Sequence, residues 1–435
     1  MTATTLDPGD TNAGETTAPV GLPRLLRDTA TALDDHIAQH GPLPRSAAGV
    51  LIDEVDAAGL RGRGGASFPT ATKLRAVAAG RRAVVVANGC EGEPASTKDA
   101  LLLTRAPHLV LDGLALAAMA VRARQAIVAT ERVRGDVMDA LARAISERAA
   151  RGIDPVPVRL VGVPPRYLAG EESALVHFLD NGEAKPTNVP PRPFERGVHG
   201  RPTLVQNVET LAQIALIARH GAEWFRTLGT ESEPGSALFT VSGGVATPGV
   251  YEAAFNTRVT ALLDAAGGTP APLSAVLVGG YFGAWVAASR LDGVRLGNES
   301  LRDVGAALGC GVVVAMPASV CGLREAARVT RYLAEESAGQ CGPCVHGLAA
   351  VAAAMDALAR GRHDRHTTHL LGRWTGQIAG RGACRHPDGA VRFVRSALEV
   401  FADEIAWHEQ GRCSATETTR LLPVPSSAVR DGQWR

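Results

Sequence analysis

Two sets of residues in this chain have the types and spacing to do chemistry. The first is the run Gly59-Leu60-Arg61-Gly62-Arg63-Gly64-Gly65-Ala66-Ser67-Phe68-Pro69-Thr70-Ala71-Thr72-Lys73. Its glycines let the backbone turn and come close to a ligand with no Cβ in the way. Arg61, Arg63 and Lys73 add positive charge, and Pro69 can open a helix. A Gly-rich cationic loop that runs into a helix N-terminus suits a phosphate. Taken alone the pattern more often marks a surface turn; the residues downstream of it add weight. The second set is the cysteines. Of the seven, only Cys341 and Cys344 are closely spaced, as Cys-x-x-Cys, and Cys384 comes later, in Arg381–Pro387. An odd number in a chain of this size argues against a disulfide framework.

These residues need elements to position them. Helical apolar spacing over 23–40 and 46–58 leads into the Gly-rich loop. Ala83-Val84-Val85-Val86-Ala87 reads as a buried strand, and Asn88-Gly89-Cys90-Glu91-Gly92-Glu93-Pro94 comes directly after it. Ligands in α/β folds sit at the carboxyl ends of strands, so that loop is well placed for a site. Helix 107–122, strand 126–129, helix 132–150 and strand 156–161 continue an α/β alternation to about 220. Glu171 and Glu172 open a helix over 171–180, where acids also complement the helix dipole. Thr203–Thr210 reads as the start of a helix running to about 219. After a composition shift near 230–236, residues 237–316 read as a small α+β module. Helices over 319–336, 343–360, 366–379 and 389–409 suggest a bundle. Its helix ends could bring Cys341, Cys344 and Cys384 together.

Composition narrows the field. The chain has 435 residues, 46% of them hydrophobic, and a net charge of +1. That balance gives no sign of a nucleic-acid surface or a polybasic membrane patch. No apolar run reaches the length of a membrane span. The first 22 residues, rich in Thr, Ala, Gly and Asp, read as a disordered tail and not as a secretory signal. The expected location is the cytoplasm, with attachment to the inner face of the membrane through a partner left open.

Seven blocks then carry a family resemblance: GLRGRGGASFPTATK (59–73), NGCEGEPASTKD (88–99), YLAGEES (167–173), PTLVQNVETLA (202–212), LFTVSGGVATPGVYE (238–252), ESAGQCGPC (336–344) and ACRHPDGA (383–390). In this order they resemble the family of flavin- and NADH-binding 51 kDa subunits of respiratory complex I, which includes the diaphorase subunits of NAD-linked hydrogenases and formate dehydrogenases. The resemblance implies an α/β flavin domain over 23–232, a β-grasp module of the SLBB type over 233–318, and an all-α four-helix bundle over 319–412 that holds an iron–sulfur cluster. Tails would occupy 1–22 and 413–435. For FMN it implies Gly62, Arg63, Gly64, Lys73, Asn88, Glu91, Tyr167, Gly170, Glu171, Gln206, Asn207 and Thr210. Phe68, Glu93 and Glu172 would face NADH, where acids can accept ribose hydroxyls and disfavour an extra phosphate. The implied reaction is hydride transfer from NADH to FMN, then single electrons through the cluster to a separate redox protein or membrane-bound reductase subunit. The hydride step needs no protein acid or base.

Four positions depart from the family pattern. Ala338 stands where the first cysteine of Ser-Cys-Gly-x-Cys-x-x-Cys belongs, leaving Cys341, Cys344 and Cys384 as metal ligands. A [4Fe–4S] cube normally takes four thiolates. Three can hold a [3Fe–4S] cluster, or a cube whose fourth iron is open or has another ligand. His346 and His386 lie near in sequence, whereas the spacing of Cys310 and Cys321 recommends neither. Cys90 replaces an aspartate and can simply pack. Val189 replaces a dinucleotide-binding lysine, a role Lys185 or Arg192 could assume. Gln206 replaces the first of two asparagines. These changes describe a divergent paralogue and keep two function classes open. One is an FMN-dependent NADH:acceptor oxidoreductase module, favoured by the intact loop, Glu93, Glu172 and three cysteines. The other is a flavin-binding or assembly subunit that has lost its relay, favoured by Ala338 and Val189. A polysaccharide or vitamin B12 binder is disfavoured, because the flavin blocks lie outside the SLBB-like module.

Overall fold

The computed structural model describes residues 4–6, 22–27, 30–45, 48–362, 365–425 and 434–435. Ten strands occur among them: β1 (Thr4–Leu6), β2 (Val84–Gly89), β3 (Gln125–Glu131), β4 (Val158–Val163), β5 (Thr203–Asn207), β6 (Ser236–Gly243), β7 (Gly249–Ala254), β8 (Leu273–Val278), β9 (Ala284–Ala287) and β10 (Val312–Pro317).

The first sheet has the order β4-β3-β2-β5, with every pairing parallel. Its central strand is the unbroken Val-rich run, because a strand covered on both faces needs apolar residues at every position. Val85 and Ala87 join the larger core, with helices Pro107–Ala120 and Val208–Arg226. Val84 and Val86 join a second core, with Leu175 and Leu179 of helix Glu172–Leu179. One expectation fails here. Residues 203–207 form β5, and the helix begins only at Val208. The free edge of β2 takes up these five residues, and Asn207 supplies the helix cap by accepting the Glu209 N–H at 3.0 Å. The helix expected over 23–40 is likewise shorter, Leu33–His40. Upstream, the N–H groups of Arg24 and Leu25 donate to the Glu252 carboxylate, not into a helix.

The second sheet has the order β1-β7-β6-β10-β8-β9. Thr4–Leu6, which the sequence places in a disordered tail, pair in parallel with β7. Residues 7–21 of that tail lie outside the described residues. The helical part comprises Gly322–Glu335, a wide turn at Pro343–Leu348 continuing into Ala349–Ala359, Arg365–Ile378, His386–Val400 and Ala402–Glu409. The helix expected over 389–409 is broken at Phe401. The segment after Cys413, expected as a disordered tail, packs back onto this bundle. Leu422 is buried, and the N–H groups of Leu421 and Leu422 donate to Glu325. Residues 426–433 lie outside the described residues. No single helix among the described residues is long and apolar enough to cross a membrane.

Candidate functional site

The Gly-rich run folds as a closed loop. Gly62 N–H donates to Phe68 O at 2.9 Å, Thr70 N–H to Leu60 O at 3.0 Å, and Arg61 bridges Pro69. Gly64, Gly65 and Ala66 are left at an exposed tip, with Gly65 at φ +103°, a value that favours glycine. Arg63 is buried. Its N–H donates to Thr210 Oγ1 at 2.9 Å, and its guanidinium donates to Ser236 O and stacks on Phe255 at 4.5 Å. Burial, against the nearby Glu209, lowers its pKa to about 10. That guanidinium therefore locks the loop to the second sheet. A cleft of about 460 Å³, open mouth included, lies on this side, lined by Gly62, Gly65, Lys98, Phe239 and Gly309 among others. Neither Lys73 nor Asn88 lines it.

At the carboxyl ends of the first sheet a different set converges. Lys73 Nζ, on helix Thr70–Ala78, donates to Glu172 Oε1 at 2.8 Å and Val205 O at 3.2 Å. Asn88, at the end of β2, donates to Gly170 O at 2.8 Å. It stands in register with Asn207 on β5, whose amide donates to Asp99 Oδ2 at 2.7 Å. Gln206 is buried, with its Nε2 making no hydrogen bond. Glu171 caps its helix through Ser173 and Ala174. Gly170 packs so tightly that a Cβ there would meet Cys90 O at 2.8 Å. Phe68 stands exposed at the loop.

Glu91 and Glu93 take separate parts. Glu91 accepts from Ser96 Oγ and from the N–H groups of Asp99 and Ala100, so it caps helix Lys98–Arg105, which sequence patterns did not anticipate. Glu93 accepts from Tyr167 Oη at 3.0 Å and Tyr281 N at 2.7 Å, and burial lifts its carboxyl to about 7. Val189 is exposed, while Lys185 turns to Glu183 at 3.0 Å and lies over the Trp434 ring. Burial raises the Cys90 thiol well above its usual range, and Cys90 packs against the second core.

Sequence reasoning missed three contributors. Lys98 is buried between Asp99 at 2.7 Å and Glu209 at 2.9 Å, and Glu209 in turn accepts from Leu238 N of β6. Tyr281 reaches Glu93 from the second sheet. Glu336, fully buried, accepts from Arg166 Nε and Tyr167 N. Lys98, Asp99, Glu209 and Glu336 all lie inside the seven blocks, but nothing in their spacing signals a buried network.

The cysteine loop lies beyond Glu336. Burial pushes the Cys344 thiol to about 12; the Ser337 hydroxyl draws it down, and the Cys341 and Cys384 thiols push it up. Glu171 lies near enough to Cys384 to help raise its pKa, after burial. Cys310 sits instead against Gly279 O, and Cys321 against Glu404 and His408. Neither supplies the missing fourth thiol. His386 is buried with Nε2 on Leu333 O at 2.7 Å and Nδ1 without a partner.

These groups fit the two cofactors that the resemblance implies. A buried amide left unpaired costs about 1–3 kcal/mol, and the edge of a flavin ring offers the acceptor that Gln206 lacks. Lys73 and the exposed glycine tip suit its phosphate. Three thiols and one hydroxyl, from the Ser337–Cys344 segment and the loop before helix His386–Val400, suit iron and sulfide.

Comparison with known proteins agrees. Residues 55–216 match the Nuo51 FMN-binding domain, 238–280 the SLBB domain, and 324–408 the NADH-ubiquinone oxidoreductase-F iron-sulfur binding region. The chain is 33% identical to an F subunit of NADH-quinone oxidoreductase in Rhizobium meliloti (strain 1021), over 83% of this chain and 90% of the relative. It is 34% identical to the NADH-quinone oxidoreductase F subunit of Mycobacterium tuberculosis (strain ATCC 25618 / H37Rv), over 83% and 85%. A crystal structure of an air-oxidized NAD+-reducing [NiFe]-hydrogenase superposes with a TM-score of 0.81 at 30% identity, over 94% of this chain and 69% of the other.

Proposed function

The chain belongs to the family of NADH-quinone oxidoreductase F subunits, and from that premise we propose how its own residues divide the work of an FMN-dependent NADH oxidoreductase module. The backbone of Gly62 and Gly64 and the Lys73 ammonium hold the flavin phosphate. The side-chain amides of Asn88, Gln206 and Asn207, with the Tyr167–Glu171 loop, hold its ring. Arg63, Glu91 and Thr210 fix the shape of that pocket from behind. Glu93 and Glu172 accept hydrogen bonds from the dinucleotide ribose, and Phe68 covers it from the loop. When bound, the flavin supplies the hydride acceptance and the change from two-electron to one-electron chemistry. The protein orients, desolvates and holds charge; none of its side chains has to move a proton in the hydride step.

Cys341, Cys344 and Cys384 hold the cluster, with the Ser337 hydroxyl a candidate for the ligand that Ala338 cannot provide. The chain works with partner subunits, as its relatives' names describe. Its electron acceptor is proposed to be a separate redox protein or a membrane-bound reductase subunit, reached from the cytoplasmic side. The division of the chain at about 232 and 318 accords with the same reading.

The observation that carries this is the placement of Asn88, Asn207 and the unpaired Gln206 amide at the carboxyl ends of β2 and β5, with Lys73 donating to Val205 O beside them. Anaerobic purification, a visible spectrum, iron analysis and NADH titration test it. A flavin band bleached by NADH, with iron present, is the expected result. An unbleached flavin without iron would leave the second reading, an assembly subunit, which the lack of a fourth thiol beside Cys341 favours.

A further inference from the structure

A second donor cluster lies in the helical part, separate from Cys341, Cys344 and Cys384. The ligand atoms of Cys321, Glu404, His408 and Cys413 all lie within 4.8 Å of one another. Cys321, Glu404 and His408 are buried. Cys321 Sγ lies 3.6 Å from both Glu404 Oε1 and His408 Nε2, and Nε2 lies 2.9 Å from Glu404 Oε1. Bonds of about 2.0–2.3 Å from a tetrahedral zinc ion to N, O and S donors place those donors roughly 3.3–3.8 Å apart. The four atoms therefore need only small shifts to close on one ion.

The surroundings orient these groups as ligands. His408 Nδ1 lies 3.1 Å from Leu358 O, which can only accept, so Nδ1 carries the hydrogen and the Nε2 lone pair points into the cluster. Arg324 N–H donates to Cys321 Sγ at 3.4 Å, and Ser414 N–H donates to Glu404 Oε1 at 3.1 Å. A backbone N–H on a thiolate and one on a carboxylate are the outer contacts that hold such ligands in place. Two sulfurs, an imidazole and a carboxylate form a donor set suited to zinc.

We propose that Cys321, Glu404, His408 and Cys413 bind one zinc ion that clamps the C-terminal segment to the helical bundle. Loading exchanges the two thiol protons for Zn²⁺, with no change in oxidation state. Cys321 caps helix Gly322–Glu335, Glu404 and His408 sit one turn apart on helix Ala402–Glu409, and Cys413 begins the returning segment. From there Thr416 and Glu417 N–H groups donate to Ser319 O, and Pro423 O accepts the Tyr281 hydroxyl. Tyr281 in turn donates its N–H to Glu93. The ion thus anchors one end of a segment whose other end supports the proposed dinucleotide site.

The test uses the full-length protein purified anaerobically, with zinc and iron measured by plasma mass spectrometry. One zinc per chain that survives dialysis is expected. Cys413→Ala should lower retained zinc by about tenfold or more, leave iron unchanged, and open 413–425 to limited proteolysis. Cys341→Ala should do the reverse, lowering iron and sparing zinc. Because a variant can fold poorly, wild-type protein is also loaded with cobalt, which should give thiolate-to-metal charge-transfer bands and tetrahedral d–d bands. Zinc-free protein that takes up neither added zinc nor cobalt overturns the proposal. So does zinc content indifferent to Cys413→Ala, or a Cys321–Cys413 disulfide found by mass spectrometry.

Discussion

The backbone N–H of Tyr167 donates to the Glu336 carboxylate at 2.9 Å. That bond joins the loop beside the proposed flavin pocket to the residue that leads into the cysteine loop, across a distance of 169 residues in sequence. Arg166 adds a second tie through Nε at 3.1 Å, with both side chains buried. Glu336→Ala should destabilise the protein by about 3–5 kcal/mol, since it strips a buried guanidinium of a charged partner. Glu336→Gln keeps the shape and should cost less. Urea denaturation of the two variants measures the gap, and equal midpoints would refute the structural role.

Glu93 supplies a pH signature. Its carboxyl is raised from 4.5 to about 7, chiefly by burial. In the role proposed for it, accepting ribose hydroxyls, it works best ionised, so KM for NADH should fall as pH rises through about 7. Glu93→Gln should flatten that profile and raise KM at high pH. Stability moves the opposite way. Between the unfolded value near 4.5 and the folded value near 7 the folded chain holds more protons, so stability falls as pH climbs through that window and levels off above it. A KM profile unchanged by Glu93→Gln would remove Glu93 from the dinucleotide site.

Gly280 makes Glu93's position possible. A Cβ there would stand 2.6 Å from Glu93 Oε2 and 2.8 Å from Cys310 Sγ, at φ +82°. Gly268, at φ +73°, has open space around it. Both alanine variants carry the strain of a left-handed backbone, about 1 kcal/mol, and Gly280→Ala should cost about 1–3 kcal/mol more through the clash. It should also weaken NADH binding, which Gly268→Ala should not. Thermal melts and NADH titrations of the pair separate the two effects.

Ala338→Cys should restore a fourth thiolate. After the same brief exposure to air, iron per chain should rise from about three in the wild type to about four in the variant, because a cube with one iron lacking a thiolate sheds that iron first. Electron paramagnetic resonance should show the matching loss of a three-iron signal. Ser337→Ala, in contrast, should lower iron retention further. Identical iron content in all three proteins would count against Ser337 as a ligand.

Lys73→Met tests the phosphate site. It removes the cation near Val205 and leaves Glu172, about a quarter exposed, without its partner. Flavin retained after gel filtration should fall by about tenfold or more, as loss of a charge-assisted hydrogen bond to phosphate requires. Retention at the wild-type level would mean that the loop backbone suffices.

Much of the architecture is legible along the chain because local patterns carry it. Unbroken apolar runs such as Val84–Val86 mark doubly covered strands, and helical spacing marks the bundle. Thr-Leu-Val-Gln-Asn at 203–207 has no decisive period, and the open edge of β2 makes it a strand. The break at Phe401 and the return of 413–425 depend on packing partners far away in sequence. For the site, the seven blocks nominate residues, but no local pattern shows that Arg63 also braces the loop against the second sheet or that Glu91 caps helix Lys98–Arg105.

The linear chain carries the inventory: a glycine-rich cationic loop after helical spacing, acids after a strand, three cysteines at helix ends, and the family to which they belong. Short-range spacing and residue chemistry suffice for that. Which groups meet is settled only once the chain has folded. Tyr281 on Glu93, Tyr167 on Glu336, and Cys321 beside His408 and Cys413 join residues roughly 90 to 190 positions apart. Such meetings are set by how sheets and helices stack to bury their apolar faces, and no local pattern records them.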